Sequence, residues 1–325
     1  MKDLERYIQK FRKLRSDKGT KWPNATLNRS PYKPLLLLSI IDLFAQGGIT
    51  SNLIELTTDL ADLFDLYCRQ VMPPDWKCNI AMPFFHLSRE GFWHLVPLPG
   101  KEPIVASGRR LQSIGLLTDT VRGARLDDDL YNLMCTEEPR NILRTVLIET
   151  YFSSEVQQKV VEQSMTNADA FEYSQLLLER ARQDVKEVLG KEEEYQAPVR
   201  DQGFRRAVIT AYNHRCALCG IRMLTPGGQT AVVAAHIVPW SISHDDNPRN
   251  GMALCYLCHW TFDAGLIGVS PDYVVMTSPQ LTTSRNVPGH LATLNGRGMI
   301  GPIEQFLWPD TGSLAWHLRE VFLKR

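Results

Sequence analysis

The stretches CALC (216–219), AAHIVPW (234–240), PRNG (248–251) and CYLCHWTFD (255–263) decide how this chain is read. Cys216 and Cys219 form one C-x2-C pair and Cys255 and Cys258 a second, about 35 residues further on, a spacing at which two knuckles close a tetrahedral thiolate site around zinc. Between the pairs lie His236 and Asn250, and His259 follows the last cysteine. Histidine has the ordinary pKa that suits a base near neutral pH, so His236 is a candidate for proton transfer. Asn250 before Gly251 is an ordinary turn signal, yet its amide can also brace a loop by bonding across to backbone. His259 and Asp263 stand four apart; on a helix they share one face, where an imidazole and a carboxylate can hold one divalent cation.

Outward from this core, 325 residues exceed the size at which one core usually stops growing, and 44% apolar content is ordinary for a globular chain, so two domains are expected. The longest apolar run, over 34–45, is too short to span a bilayer and ends at Gln46, Gly47 and Gly48, a helix stop. The start, MKDLERYIQKFRKLRSDKG, reads as a charged amphipathic helix without the apolar centre of a secretory signal. A cytoplasmic protein with reduced thiols is therefore expected, in which paired cysteines hold metal and Cys68, Cys78 and Cys135 are single buried thiols. Net charge is zero, but residues 1–36 carry ten Lys or Arg against Asp3, Glu5 and Asp17. Such a local excess can lead a polyanion to one face of a neutral protein.

Helical patterns cover 35–44, 53–68, 107–117, 141–151 and 171–189. Two strand-like pieces, AMPFFHL (81–87) and GFWHLVPL (91–98), joined through SREG, read as a hairpin. The charged run over 190–194 suits a linker and places a boundary near 195. The expected class is α+β: a mixed helical and β-hairpin domain over 1–165, a helical linker over 166–198 and a C-terminal domain over 199–325.

The order of the motif residues, with FRRAVITAYNHRCALCG (204–220), NPRNGMALCYLCHWTFDAG (247–265) and LAWHLREVF (314–322), resembles the HNH endonucleases over about residues 200–320. The resemblance implies a ββα-metal fold that hydrolyses phosphodiesters. His236 would be the general base, Asn250 the loop brace, and His259 with Asp263 the holders of the catalytic cation. Members often carry Asp or His before the catalytic His, whereas Ala235 stands here, so the third metal ligand is unidentified. Water or a DNA phosphate oxygen would complete a shell suited to Mg²⁺ or Mn²⁺. His214 and His244 are read as unassigned surface residues.

A second resemblance rests on RSPYKPLLLLSIIDL (29–43), AMPFFHLSREGFWHL (81–95) and IETYF (148–152), which are similar to the DNA sulfur-binding domain of phosphorothioate-dependent restriction endonucleases. It matches Pro83 to the family's sulfur-pocket proline, flanked by Met82 and His86 where members usually carry Tyr and a small residue. Lys33 falls at a backbone-contact position, and Arg29 or Tyr32 could reach base edges. Phe84 and Phe85 are read as core. Sulfur is less well hydrated than oxygen, so a shallow apolar pocket can favour it while cations bind the surrounding charge.

The expected protein is a modification-dependent restriction endonuclease acting on double-stranded, phosphorothioated DNA. Its cofactors would be structural zinc and catalytic Mg²⁺ or Mn²⁺, and a homodimer is one candidate assembly. Two other readings stay open: an HNH endonuclease that reads a methylated base, and a zinc-stabilised DNA-binding protein with an inactive HNH fold, motivated by Ala235.

Overall fold

Leu35, Leu36, Leu38, Ile40 and Ile41 cover every side of one helix and all are fully buried, as a helix apolar all round must be. The computed structural model describes residues 2–108, 110–183, 195–225 and 228–324, and the expected linker over 190–194 lies outside them. Two compact units divide the chain: residues 1–168 with 224–229, and residues 169–223 with 230–325. The class is α+β, with small two-stranded sheets among many helices.

The first unit holds α1 (Lys2–Arg12), α2 (Tyr32–Ala45), α3 (Thr58–Val71), α4 (Ala81–His86), β1 (Trp93–Pro97), α5 (Glu102–Ala106), α6 (Ile114–Thr118), β2 (Val121–Leu126), α7 (Asp128–Cys135) and α8 (Glu137–Tyr151). A further helix, α9 (Ser154–Gln183), contributes Val156 and Val160 to this core and Tyr173 and Leu177 to that of the second unit. In the buried axis helix α2 sits one carboxylate, Asp42, only 3% exposed. It accepts from Tyr67 Oη at 2.7 Å, Asn167 Nδ2 at 2.8 Å and Ser164 Oγ at 3.3 Å, and it pairs with Arg144. One charge thereby ties α2 to α3, α8 and α9.

The expected hairpin is corrected. Residues 81–86 are helical: Asn79 Oδ1 accepts from Ala81 N at 2.9 Å, and Pro83 falls in the first turn, where a missing N–H costs nothing. The strand Trp93–Pro97 pairs antiparallel with Val121–Leu126 instead, Trp93 opposite Leu126. The helix expected over 53–68 starts later, because Ile54 bridges to Ala124 and Thr57 caps the helix by accepting from Leu60 N. Of the helix expected over 107–117, only residues 114–117 are helical among those described; they lie in α6, capped by Ser113, while α5 ends ahead of the stretch at Ala106. Cys68 and Cys78 are joined in a disulfide and Cys135 is exposed, so none of the three is the single buried thiol expected. Among the described residues no helix is long and apolar enough to cross a membrane.

The second unit holds α10 (Ala197–Ala211), β3 (Val232–His236), α11 (Trp240–Ser243), β4 (Gly251–Cys255), α12 (Tyr256–Asp263), β5 (Ile267–Val269), β6 (Val275–Thr277) and α13 (Thr311–Glu320). β3 and β4 run antiparallel with Val232 opposite Cys255 and His236 opposite Gly251, and α10 and α12 pack on them. Gly251 is needed for space rather than for a turn. A Cβ there would lie 2.6 Å from Val208 Cγ2 and 2.9 Å from Phe204 Cζ. His317, within the motif LAWHLREVF, is a core residue. Its ring stacks on Phe262 at 3.6 Å and its Nε2 lies 3.0 Å from the Phe262 carbonyl. Burial pushes its pKa down to about 4.

Two outcomes follow from these buried groups. Replacing Asp42 by Leu leaves Arg144 without its countercharge and should cost about 3–5 kcal/mol in chemical denaturation of the first unit. His317 stays neutral when folded but takes up a proton near pH 6.5 when unfolded, so the unfolded state binds more protons as pH falls from 6.5 to about 4. Across that window stability should drop by on the order of 3 kcal/mol, and His317→Gln should flatten that part of the curve.

Candidate active site

The first cysteine knuckle is a turn closed by Gly220 N donating to Cys216 O at 3.0 Å, with Gly220 at φ +78°, a conformation that suits glycine. Ala217 N donates to Ala253 O at 2.8 Å and ties the knuckle to β4. The second pair spans the strand-to-helix junction: Cys255 ends β4 and caps α12, while Cys258 lies in its first turn. The four sulfurs lie within 4.8 Å of one another, with Cys219 and Cys255 at 3.7 Å. Thiolates at about 2.3 Å from a tetrahedral ion stand about 3.8 Å apart, so the cage could hold a metal ion. Hydrogen bonds among the four push the Cys216 thiol well below its ordinary range and the Cys219 and Cys258 thiols well above theirs, so the sulfurs titrate as one cluster. Among the described residues no other group of three or more His, Cys or acidic ligands converges in this way.

At the opposite end of β3, the His236 ring stacks on Phe204 at 3.8 Å with 6° between the planes. Its Nε2 lies 2.8 Å from Asp246 Oδ1, and the side chain is 23% exposed. Asp246 is buried; its Oδ2 accepts from Arg200 Nε at 3.0 Å and from Tyr173 Oη at 3.1 Å. The Arg200 guanidinium lies 3.7 Å over the Trp240 ring. Asn250, also buried, accepts from Val238 N at 2.9 Å and donates to the carbonyls of Val238 and Asp245, each at 3.0 Å. Its amide therefore spans the loop between β3 and β4. On α12, His259 Nε2 and Asp263 Oδ2 are 3.3 Å apart, near the roughly 3.0 Å separating neighbouring ligands on an octahedral ion with bonds of about 2.1 Å. Ala235 is buried in the core and offers no ligand.

Sequence reasoning missed Asp246, Arg200 and Tyr173. The doubled acid in SHDDNPRNG was the available signal for Asp246, but beside Asn-Pro it reads as a turn. His244 is exposed and packs edge-on against Trp240 at 4.4 Å, whereas His214 is half-buried rather than on the surface.

In the first unit, α4, which carries Met82, Pro83 and His86, packs on α2, which carries Tyr32 and Lys33. Pro83 is buried and Met82 half-buried, while Phe84 and Phe85 are core residues. His86 has its pKa lowered by burial first, then by the charges of Arg89, Lys33 and Arg110. Lys33 is buried in an ion pair with Glu90, so reaching a phosphate would require that pair to open. Tyr32 Oη accepts from Trp76 Nε1 at 2.8 Å, and Trp22 packs on both rings, an aromatic cluster the local pattern does not announce. Arg29 lies 5.7 Å over the Tyr151 ring. Of the basic residues over 1–36, Arg6, Lys10, Lys21 and Lys33 are paired with acids of the same unit.

Residues 216–270 match the family model described as HNH endonuclease, and residues 4–165 match that described as the ScoMcrA-like, DNA sulfur-binding domain. No curated protein matches the chain. A solved structure described as a modification dependent TagI restriction endonuclease is 26% identical, with a TM-score of 0.29; the match covers 39% of this chain and 40% of that one. One segment of the chain is thus similar to the HNH endonucleases and another to the ScoMcrA-like DNA sulfur-binding domain, a pairing that supports a DNA nuclease.

Proposed function

We propose that the chain is a modification-dependent restriction endonuclease. Residues 1–165 bind double-stranded DNA at a phosphorothioate, residues 166–198 link them to the rest, and residues 199–325 hydrolyse a phosphodiester bond nearby. The observation that carries this reading is the presence, in one chain, of the sulfur-binding-domain match over 4–165 and a histidine braced on one edge and open on the other. Met82 offers accessible apolar surface that favours sulfur, with the buried Pro83 next to it on α4, and Lys33, Arg89 and Arg110 supply a positive field around His86. Arg29 and Tyr32 lie on the same unit as that segment.

In the hydrolysis, a water gives its proton to His236 as its oxygen bonds to phosphorus, and one ester oxygen leaves. Asn250 keeps the loop that carries Asp245 and Asp246 in register with β3. A divalent cation held by His259 and Asp263, magnesium or manganese, would polarise the phosphate and stabilise charge on the leaving oxygen. Zinc would fill the four-cysteine cage as a structural ion, held by the thiolates of Cys216, Cys219, Cys255 and Cys258.

Matched plasmids with and without phosphorothioation test the reading. The wild type should cut only the modified plasmid, and His236→Ala should bind it without cutting. Equal cutting of both would remove the sulfur reading and send the test to methylated plasmids, while cutting of none would remove the nuclease reading. Cys216→Ser or Cys258→Ser should lower bound zinc below one per chain and abolish the cooperative melt of the second unit. A variant that keeps both would take the cage out of the account.

A further inference from the structure

We propose that Asp246 is a positioning residue of the nuclease site: held by Arg200 and Tyr173, it fixes His236 as the Nε2–H tautomer and leaves Nδ1 to take the proton from water. The proposal rests on the reading of His236 as the base. An ionised carboxylate only accepts hydrogen bonds, so the 2.8 Å contact to Asp246 Oδ1 requires the proton to sit on Nε2. The Phe204 stack sets the plane of the ring, and Asp246 sets its rotation within that plane. The neutral ring then carries its lone pair on Nδ1, which makes no hydrogen bond among the described residues.

Asp246 keeps its charge although it is buried. Burial alone would raise its pKa, but His236 and Arg200 outweigh that and hold it below the ordinary carboxylate range. Both donors to its second oxygen lie ahead of the segment that matches the HNH family: Tyr173 on α9 and Arg200 on α10, against a match over 216–270. The orientation of the base is thus set by side chains outside that segment. Other charged or titratable groups near β3 are Asp245 in the same loop, with Asp310 beyond it, His259 and Asp263 on α12, and Cys255 at the far end of β4. Of these, Asp246 is the group that bonds the ring.

The test uses the full chain labelled with ¹⁵N-histidine, with ring nitrogens read by long-range correlation at about pH 8, where an ordinary histidine is neutral. His236 is assigned by its loss in His236→Gln. Wild type should show the Nε2–H form without DNA; the Nδ1–H form, or a mixture, overturns the proposal. In Asp246→Asn, Arg200 and Tyr173 both donate and so hold the amide oxygen, turning its NH₂ toward His236 and forcing the opposite tautomer. Cleavage kcat should then fall by about 10²-fold or more with KM for DNA within about twofold.

The acid limb of the pH–rate profile should move down by about one unit in Asp246→Asn and up by a similar amount in Arg200→Gln, because the two changes remove opposite charges. Movement of both limbs in one direction, or an unchanged kcat in Asp246→Asn, overturns the proposal. Should Asp246→Asn not fold, the wild-type tautomer and the Arg200→Gln limb decide. The tautomer is read without DNA, so a wild type that shows Nε2–H yet cuts no DNA would fail the nuclease reading and support the orientation.

Discussion

Four sulfurs within 4.8 Å of one another are the constraint on which the second unit depends. They join a knuckle at 216–220 to the junction of β4 and α12, and Cys255 faces Val232 at one end of the β3 and β4 pair. His236 and Gly251 face each other at the other end. Closing the cage therefore sets where the histidine lies, while the Asn250 amide closes the loop beyond it. A metal ion held in this cage would make the folding energy of the hairpin and the binding energy of the metal one quantity. His259, the residue after Cys258, takes its place on α12 from the same closure.

Two buried carboxylates in the chain show how one chemistry serves two ends. Asp42 is met by Tyr67, Asn167, Ser164 and Arg144 and has no edge left over, so its charge is spent on joining helices. Asp246 has one oxygen saturated by Arg200 and Tyr173 and gives the other to an imidazole whose remaining edge meets solvent. A buried charge is costly to leave unpaired, so both sites must be satisfied inside the fold. What distinguishes them is the open side of the last partner.

The basic N-terminal segment shows a limit of reading charge along a chain. Lys33 lies beneath Glu90, and Arg6 and Lys10 meet Asp129 and Asp127, acids more than a hundred residues away in sequence. A count over 1–36 records the cations and cannot record their partners. The same holds for the aromatic cluster of Trp22, Tyr32 and Trp76, whose members are harmless singly and form a surface only when α2 and the loops around it pack.

What the sequence by itself determined is the set of features that covalent spacing enforces. A C-x2-C pair places two sulfurs on one turn, residues four apart on a helix share a face, and an apolar run without a polar side must be interior. The cysteine cage, the His259 and Asp263 pair and the buried α2 were legible for that reason. Only the tertiary structure decided that Trp93–Pro97 takes Val121–Leu126 as its partner, that AMPFFH coils into a helix, that Cys68 meets Cys78, and that Tyr173, Arg200 and Asp246 converge behind His236. The physical reason is range: local patterns follow from bond geometry and burial over a few residues, whereas strand partners and buried charge pairs are chosen by energies between groups whose distance along the chain says nothing of their distance in space.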